Sequence, residues 1–164
     1  MTERDPAPSR LARFITAQNQ PGQGFDAALA ELKAGGKQGH WIWYVFPQLA
    51  GLGSSSMSRA YGIDGAAEAV EYLNHPLLRA RLLQVTETIA EGLQAGTPLA
   101  TLMGSSIDAR KLVSSLTLFS AIARRFAEEG SDELRELHRV AERVLAAAAR
   151  QGYPRCRFTR DHLD

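Results

Sequence analysis

From Asp64 onward the apolar residues of this chain recur at helical spacing, in segments cut by glycine and proline. This pattern constrains the fold more than any other feature. Leu77, Leu78, Leu82, Val85 and Ile89 form one stripe, opened by His75-Pro76, where proline suits a first helical turn. Leu112, Val113, Leu116, Leu118, Phe119 and Ile122 form a second and predict a long helix over about residues 108–127. Leu134, Leu137, Val140, Val144 and Leu145 form a third. It follows Gly130-Ser131-Asp132, carries Asp132 and Glu133 at its positive end, and has Gly152 as terminator. Shorter helices are expected over 66–73, capped by Asp64, and from Pro98 to Met103. A strand needs partner strands, and none is found. The expectation is an all-α fold, a compact single domain of several helices with a Gly/Ser-rich loop.

The N-terminal part fits that class. Residues 1–8 are polar with two prolines and are expected to be a disordered tail, so the domain runs over 9–152. Ser9 can cap a helix carrying Leu11, Phe14, Ile15 and Gln18, which Pro21-Gly22-Gln23-Gly24 breaks. Phe25, Leu29 and Leu32 mark a second helix to about Ala34, stopped by Gly35-Gly36. The string His40-Trp41-Ile42-Trp43-Tyr44-Val45-Phe46-Pro47-Gln48 holds both tryptophans. Its composition suits a strand, yet Trp41, Tyr44 and Val45 also share a helical face. Without a partner strand, a short helix or irregular segment ending at Pro47 is expected. Residues 47–60, with Gly51-Leu52-Gly53-Ser54-Ser55-Ser56, read as loop.

Composition excludes several function classes. A net charge of +1 gives no bulk electrostatic case for nucleic acid or a membrane surface. The arginines are dispersed beside glutamates on predicted helices, the pattern of a solvated face. No window reaches the roughly 20 apolar residues of a membrane span. The charged N-terminus has no signal-peptide core, and the single cysteine, Cys156, has no internal partner, so a cytoplasmic protein is expected. The histidines 40, 75, 138 and 162 show no metal spacing, and no metal site or cofactor is implied. His138 sits among charges and is expected to be exposed. Gly-x-Gly-x-x-Ser at 51–56 lacks the strand and helix of a dinucleotide fold, and no Gly-x-Ser-x-Gly nucleophile elbow occurs.

The same residues carry a resemblance. His40-Trp41-x-Trp43-x-x-Phe46-Pro47-Gln48, Gly51-Leu52-Gly53, Ser56-Met57-Ser58, Tyr61-Gly62-Ile63, His75-Pro76, Lys111-Leu112 and Ser114-Ser115 resemble a bacterial family of unknown function. It is number 1810 in the domain-of-unknown-function series, and its members often carry the label calpastatin. The resemblance covers about residues 10–127. It implies a compact, mainly helical domain and no established activity. Calpastatins are disordered inhibitors, whereas this composition is that of a folded domain. Residues 153–164 depart from the family pattern and read as a divergent tail.

Two groups of residues could carry chemistry. Lys37 and His40 stand beside the aromatic string, with His40 a candidate proton donor or acceptor. On the long helix, Asp108 is a candidate acid or base, and Lys111 and Ser115 share a face. Ser114, Ser115 and Thr117 are unusual inside a helix. They either face a ligand, bond back to carbonyls one turn earlier, or receive another helix. The preferred reading is a pocket for a small anionic or nucleotide-like molecule, open to hydrolytic chemistry. Trp41, Trp43 and Tyr44 would stack; Lys37, Ser54, Ser55, Ser56, Lys111, Ser114 and Ser115 would supply polar groups; His40 and Asp108 would be the catalytic candidates. The competing reading makes the aromatics core and the protein a non-enzymatic interaction module, whose amphipathic C-terminal helix packs against a protein partner or, as a homodimer, against a second copy.

Overall fold

A computed structural model describes residues 10–126 and 131–163. The expected tail over 1–8 and the cap at Ser9 lie outside the described residues. Those residues form ten helices and no strand: α1 (Ala12–Gln18), α2 (Phe25–Lys33), α3 (Ile42–Val45), α4 (Ser56–Tyr61), α5 (Gly65–Asn74), α6 (Pro76–Gln94), α7 (Leu99–Met103), α8 (Ser106–Phe126), α9 (Asp132–Arg150) and α10 (Arg157–Leu163). The fold is all-α, as the periodicity predicts. None of the described helices is long and apolar enough to cross a membrane.

The centre is α8. Nine consecutive residues, Leu112 to Ser120, are buried, so this stretch is enclosed on every side. Helix α9 runs along it, with α3, α5, α7 and α10 against its other faces, while α6 bridges α9 and α2. Tyr72 of α5 packs on Phe119 with ring centroids 4.9 Å apart, and Phe14 of α1 meets Tyr72 edge-on at 5.3 Å. On α9, Leu134, Leu137, Val140, Val144 and Leu145 are all buried. Its apolar stripe is therefore consumed within the chain.

The hydroxyls of α8 divide three ways. Thr117 Oγ1 donates to the Val113 carbonyl one turn earlier at 2.7 Å and accepts the Cys156 N–H at 3.3 Å. Ser114 Oγ meets Thr159 Oγ1 of α10 at 3.3 Å. Both therefore help seat residues 156–163 on α8, and the stretch read as a divergent tail holds a packed helix. Ser115 Oγ is buried with no hydrogen-bond partner.

Caps follow the sequence signals with one exception. His75 Nδ1 accepts from the Leu78 N–H at 3.5 Å, and Ser131 Oγ accepts from Leu134 at 3.2 Å. Asp64 does not cap α5 with its side chain. Glu68 reaches back instead and accepts the Asp64 N–H at 2.9 Å. Glu68 is also gripped by Arg13 of α1 through contacts of 2.8 and 3.1 Å, and Arg13 donates to the Ala60 and Gly62 carbonyls.

The stretch 47–60, expected as loop throughout, contains α4 and is closed at its base. The Ala50 N–H donates to the Ile63 carbonyl and the Ile63 N–H to the Gln48 carbonyl, both at 2.8 Å. Gly62 permits this closure: a Cβ there would lie 2.8 Å from the Ser58 carbonyl oxygen and 2.9 Å from Ala50 Cα.

Because α8 is enclosed, Leu116→Ala should lower the unfolding free energy by about 2–5 kcal/mol. Ile107→Ala, at a side chain 62% exposed, should change it by less than about 0.5 kcal/mol. Urea denaturation of both variants checks this contrast.

Candidate functional site

The segment before the aromatic string is held by one carboxylate. Glu31, near the end of α2, accepts at a single oxygen the N–H groups of Gln38 at 2.6 Å and Gly39 at 2.7 Å and the Trp41 indole N–H at 3.0 Å. Burial opposes its ionisation. The Gly39 and Gln38 N–H groups, the indole and the Lys37 charge more than offset that, so its pKa lies below the ordinary value. The Lys37 N–H donates to the Leu102 carbonyl at 2.8 Å, bringing this segment against α7. Gly104, at φ +81°, makes room beside it, since a Cβ there would lie 2.9 Å from the Lys37 carbonyl oxygen.

That placement delivers Lys37 to the N-terminal end of α8. Its ammonium lies 2.8 Å from Asp108 Oδ2, with the lysine side chain only 6% exposed, and donates to the Gly39 carbonyl. Lys111, one turn along α8, lies 3.5 Å from the other oxygen, Oδ1. Each ammonium also faces an indole: Lys37 is 5.2 Å from the Trp41 ring centroid and Lys111 3.9 Å from that of Trp43. Two lysines thus share Asp108, and the Lys37 charge also acts on the Glu31 carboxylate.

Lys111 and Trp43 open onto a small cleft walled by Gln48, Leu52, Ser58 and Tyr61, of about 70 Å³. That is the room of roughly two water molecules, or of one carboxylate-sized group.

The expected site residues separate into three sets. Trp43, Lys111, Lys37 and Asp108 are brought together. Trp41 is fully buried and Tyr44 nearly so, with its hydroxyl donating to the Gln23 carbonyl at 2.6 Å. Ser114 and Ser115 are core residues of α8. These four offer no surface for stacking or ligand contact. His40, Ser54, Ser55 and Ser56 are exposed and lie outside the cleft lining. Ser55 caps α4, its Oγ accepting from the Ser58 N–H at 3.1 Å. His40 makes no hydrogen bond or ion pair among the described residues. Both Asp108 oxygens are engaged by lysines, so no free acid–base pair faces the cleft.

Gln48, Ser58 and Tyr61 line the cleft although sequence reasoning does not assign them to it. Their signal is position: Gln48 ends the aromatic string, and the other two flank the closure of the following loop. A larger cleft, about 670 Å³, lies at the far end of α8 between α9 and α10. Its arginines come from residues far apart in the chain, which read singly as solvated. His138, expected to be exposed, is half-buried there, with Nδ1 3.0 Å from Ser120 Oγ. No cluster of three or more potential metal-ligating side chains occurs among the described residues.

Glu68 resembles Glu31 in its titration. Burial opposes its charge, and the Arg13 guanidinium and the Asp64 N–H hold its pKa below the ordinary value. A carboxyl with a depressed folded pKa stabilises the fold above its unfolded value and loses that contribution as pH falls through the folded one. Stability should therefore decline below the reference carboxylate value of 4.5. Glu31→Gln should flatten part of that decline, as urea unfolding from about pH 7 to about pH 3 would show. Ser115→Ala, which removes a hydroxyl without a partner, should leave stability unchanged or raise it by up to about 1 kcal/mol.

Comparison with known proteins places this architecture. The crystal structure of the conserved hypothetical protein Rv1873 from Mycobacterium tuberculosis superposes with a TM-score of 0.73 at 36% sequence identity, over 95% of this chain and 97% of that one. No curated protein matches. Residues 8–140 match the family described as protein of unknown function (DUF1810), and the chain belongs to that family.

Proposed function

We propose that this chain is a binding domain for a small anionic molecule, held where Lys111 lies over Trp43. The observation that carries the reading is the placement of Lys111, which lies over Trp43, lines the cleft and holds Asp108 only by the longer of the two lysine contacts. Lys37 and Lys111 share Asp108, and the shorter contact goes to Lys37. Lys111 is the more exposed of the two lysines and lines the cleft. An anion seated there would pair with the Lys111 ammonium, in partly desolvated surroundings where a charge-assisted hydrogen bond is strong.

The size of the cleft limits the ligand. About 70 Å³ admits a carboxylate or a single phosphate oxygen cluster, so a nucleotide-like ligand would place only its anionic end inside. Any ring it carries would have Trp43 and Tyr61 at the rim. Hydrolysis draws no support from this geometry, since both Asp108 oxygens are held by lysines and the Ser58 hydroxyl donates to the Ser55 carbonyl at 2.9 Å. Self-association through α9 draws none either, because its apolar stripe is buried within the chain.

Tryptophan fluorescence titrated with carboxylates, phosphorylated metabolites and nucleotides tests the reading. A saturable change is expected with one class, weakened about tenfold or more in Lys111→Met. A panel without any saturable change, in protein shown to be folded, would overturn it.

A further inference from the structure

We infer that the cleft between α8, α9 and α10 is a second ligand site, built for a small molecule carrying more than one phosphate-type charge. It lies at the opposite end of α8. Lys111 and Arg124 are separated by roughly 20 Å along the helix at 1.5 Å per residue.

Four guanidinium groups line this cleft: Arg124 and Arg125 from the last turn of α8, Arg155 from the segment before α10, and Arg160 from α10 itself. Among the described residues of the lining they face one carboxylate, Glu142 of α9. Arg155 answers it at 2.6 Å, and that contact, with a hydrogen bond from Ser120, keeps the Glu142 carboxyl below its ordinary pKa despite burial. Arg125 donates to the Leu163 carbonyl at 2.8 Å, fixing the end of α10. The guanidinium groups of Arg124 and Arg160 make no hydrogen bond or ion pair among the described residues. Two planar, multiply donating cations from distant parts of the chain thus line one concavity without a neutralising partner among the described residues. Guanidinium groups match the oxygens of a phosphate through paired N–H donors.

The floor is ordered. Ser120 is 1% exposed; its hydroxyl donates to Glu142 Oε2 at 2.7 Å. His138 Nδ1 lies 3.1 Å from the Ser120 carbonyl oxygen and 3.0 Å from its hydroxyl. A carbonyl only accepts, so Nδ1 carries the hydrogen. This network fixes the ring and the carboxylate beneath the arginines.

The dimensions select the ligand class. A volume of about 670 Å³ falls within the range of small-molecule sites. A chain of net charge +1 is not basic in bulk, so the charge in this cleft is a local feature. A polynucleotide would call for a cationic track with aromatic rings for its bases, and the lining contains no Phe, Tyr or Trp.

The test is calorimetric titration of the full chain with inorganic pyrophosphate, repeated with tripolyphosphate and with a short single-stranded oligonucleotide. Wild type, Arg124→Gln/Arg160→Gln and Lys111→Met are compared, with circular dichroism confirming their fold. Both arginines are exposed and unpaired among the described residues, so the double variant should fold. Saturable pyrophosphate binding is expected, its tightest phase weakened about tenfold or more in the double arginine variant and retained in Lys111→Met. Binding lost only in Lys111→Met would assign pyrophosphate to the first cleft and overturn the second site. So would the absence of saturable binding, binding indifferent to both arginines, or tighter binding of the oligonucleotide than of either polyphosphate. A failure here leaves the Lys111 cleft untouched, because that reading rests on the tryptophan-fluorescence titration and not on the two arginines.

Discussion

Burial of α8 on every side over Leu112 to Ser120 is the constraint from which the rest of the structure follows. A helix with no solvent face must be covered all round, and the chain spends α3, α5, α7, α9 and α10 on that task. Enclosure also dictates how its polar residues behave. Thr117 and Ser114 find partners in their own helix and in the segment that carries α10, as burial of hydroxyls demands. Ser115 finds none, and its cost is carried by the packing around it.

Only the ends of α8 emerge, and the charge is placed there. At the N-terminal end stands Asp108, favoured by the helix dipole; at the C-terminal end stand Arg124 and Arg125, likewise favoured. The N-terminal end recruits Lys37 through a segment that Glu31 holds by three hydrogen bonds. The C-terminal end recruits Arg155 and Arg160 through the hydroxyl contacts that seat α10. Each proposed site thus pairs a rigid helix end with a segment fastened to it by polar contacts, an arrangement that preorganises charge at little cost on binding.

The helices were legible because each apolar run is bounded by Gly, Pro or a capping residue. Helix α4 was not, since Ser54-Ser55-Ser56 reads as loop until Ser55 is seen to cap it. Asp64 does not cap with its side chain; Glu68 accepts the Asp64 N–H, a hydrogen bond with a different donor that the capping signal does not encode. Of the aromatic string, Trp43 and Gln48 line the proposed cleft, while Trp41 and Tyr44 are core. An indole looks the same in sequence whether it is core, as Trp41 is, or cleft wall, as Trp43 is, and only tertiary packing separates them. Lys37 and Asp108 stood on the page as separate candidates, but no local spacing could pair residues on different elements. The arginine cleft was illegible for the same reason, its cations coming from both sides of α9.

The central claim is that Trp43 and Lys111 frame a binding site while Trp41 belongs to the core. The most direct measurement follows the two indole N–H resonances by NMR as carboxylates and phosphate are added. The account predicts that the Trp43 signal moves to saturation with one of them, and that the Trp41 signal, locked on Glu31, stays in place. An unmoved Trp43 signal throughout, or both signals moving together, would contradict it.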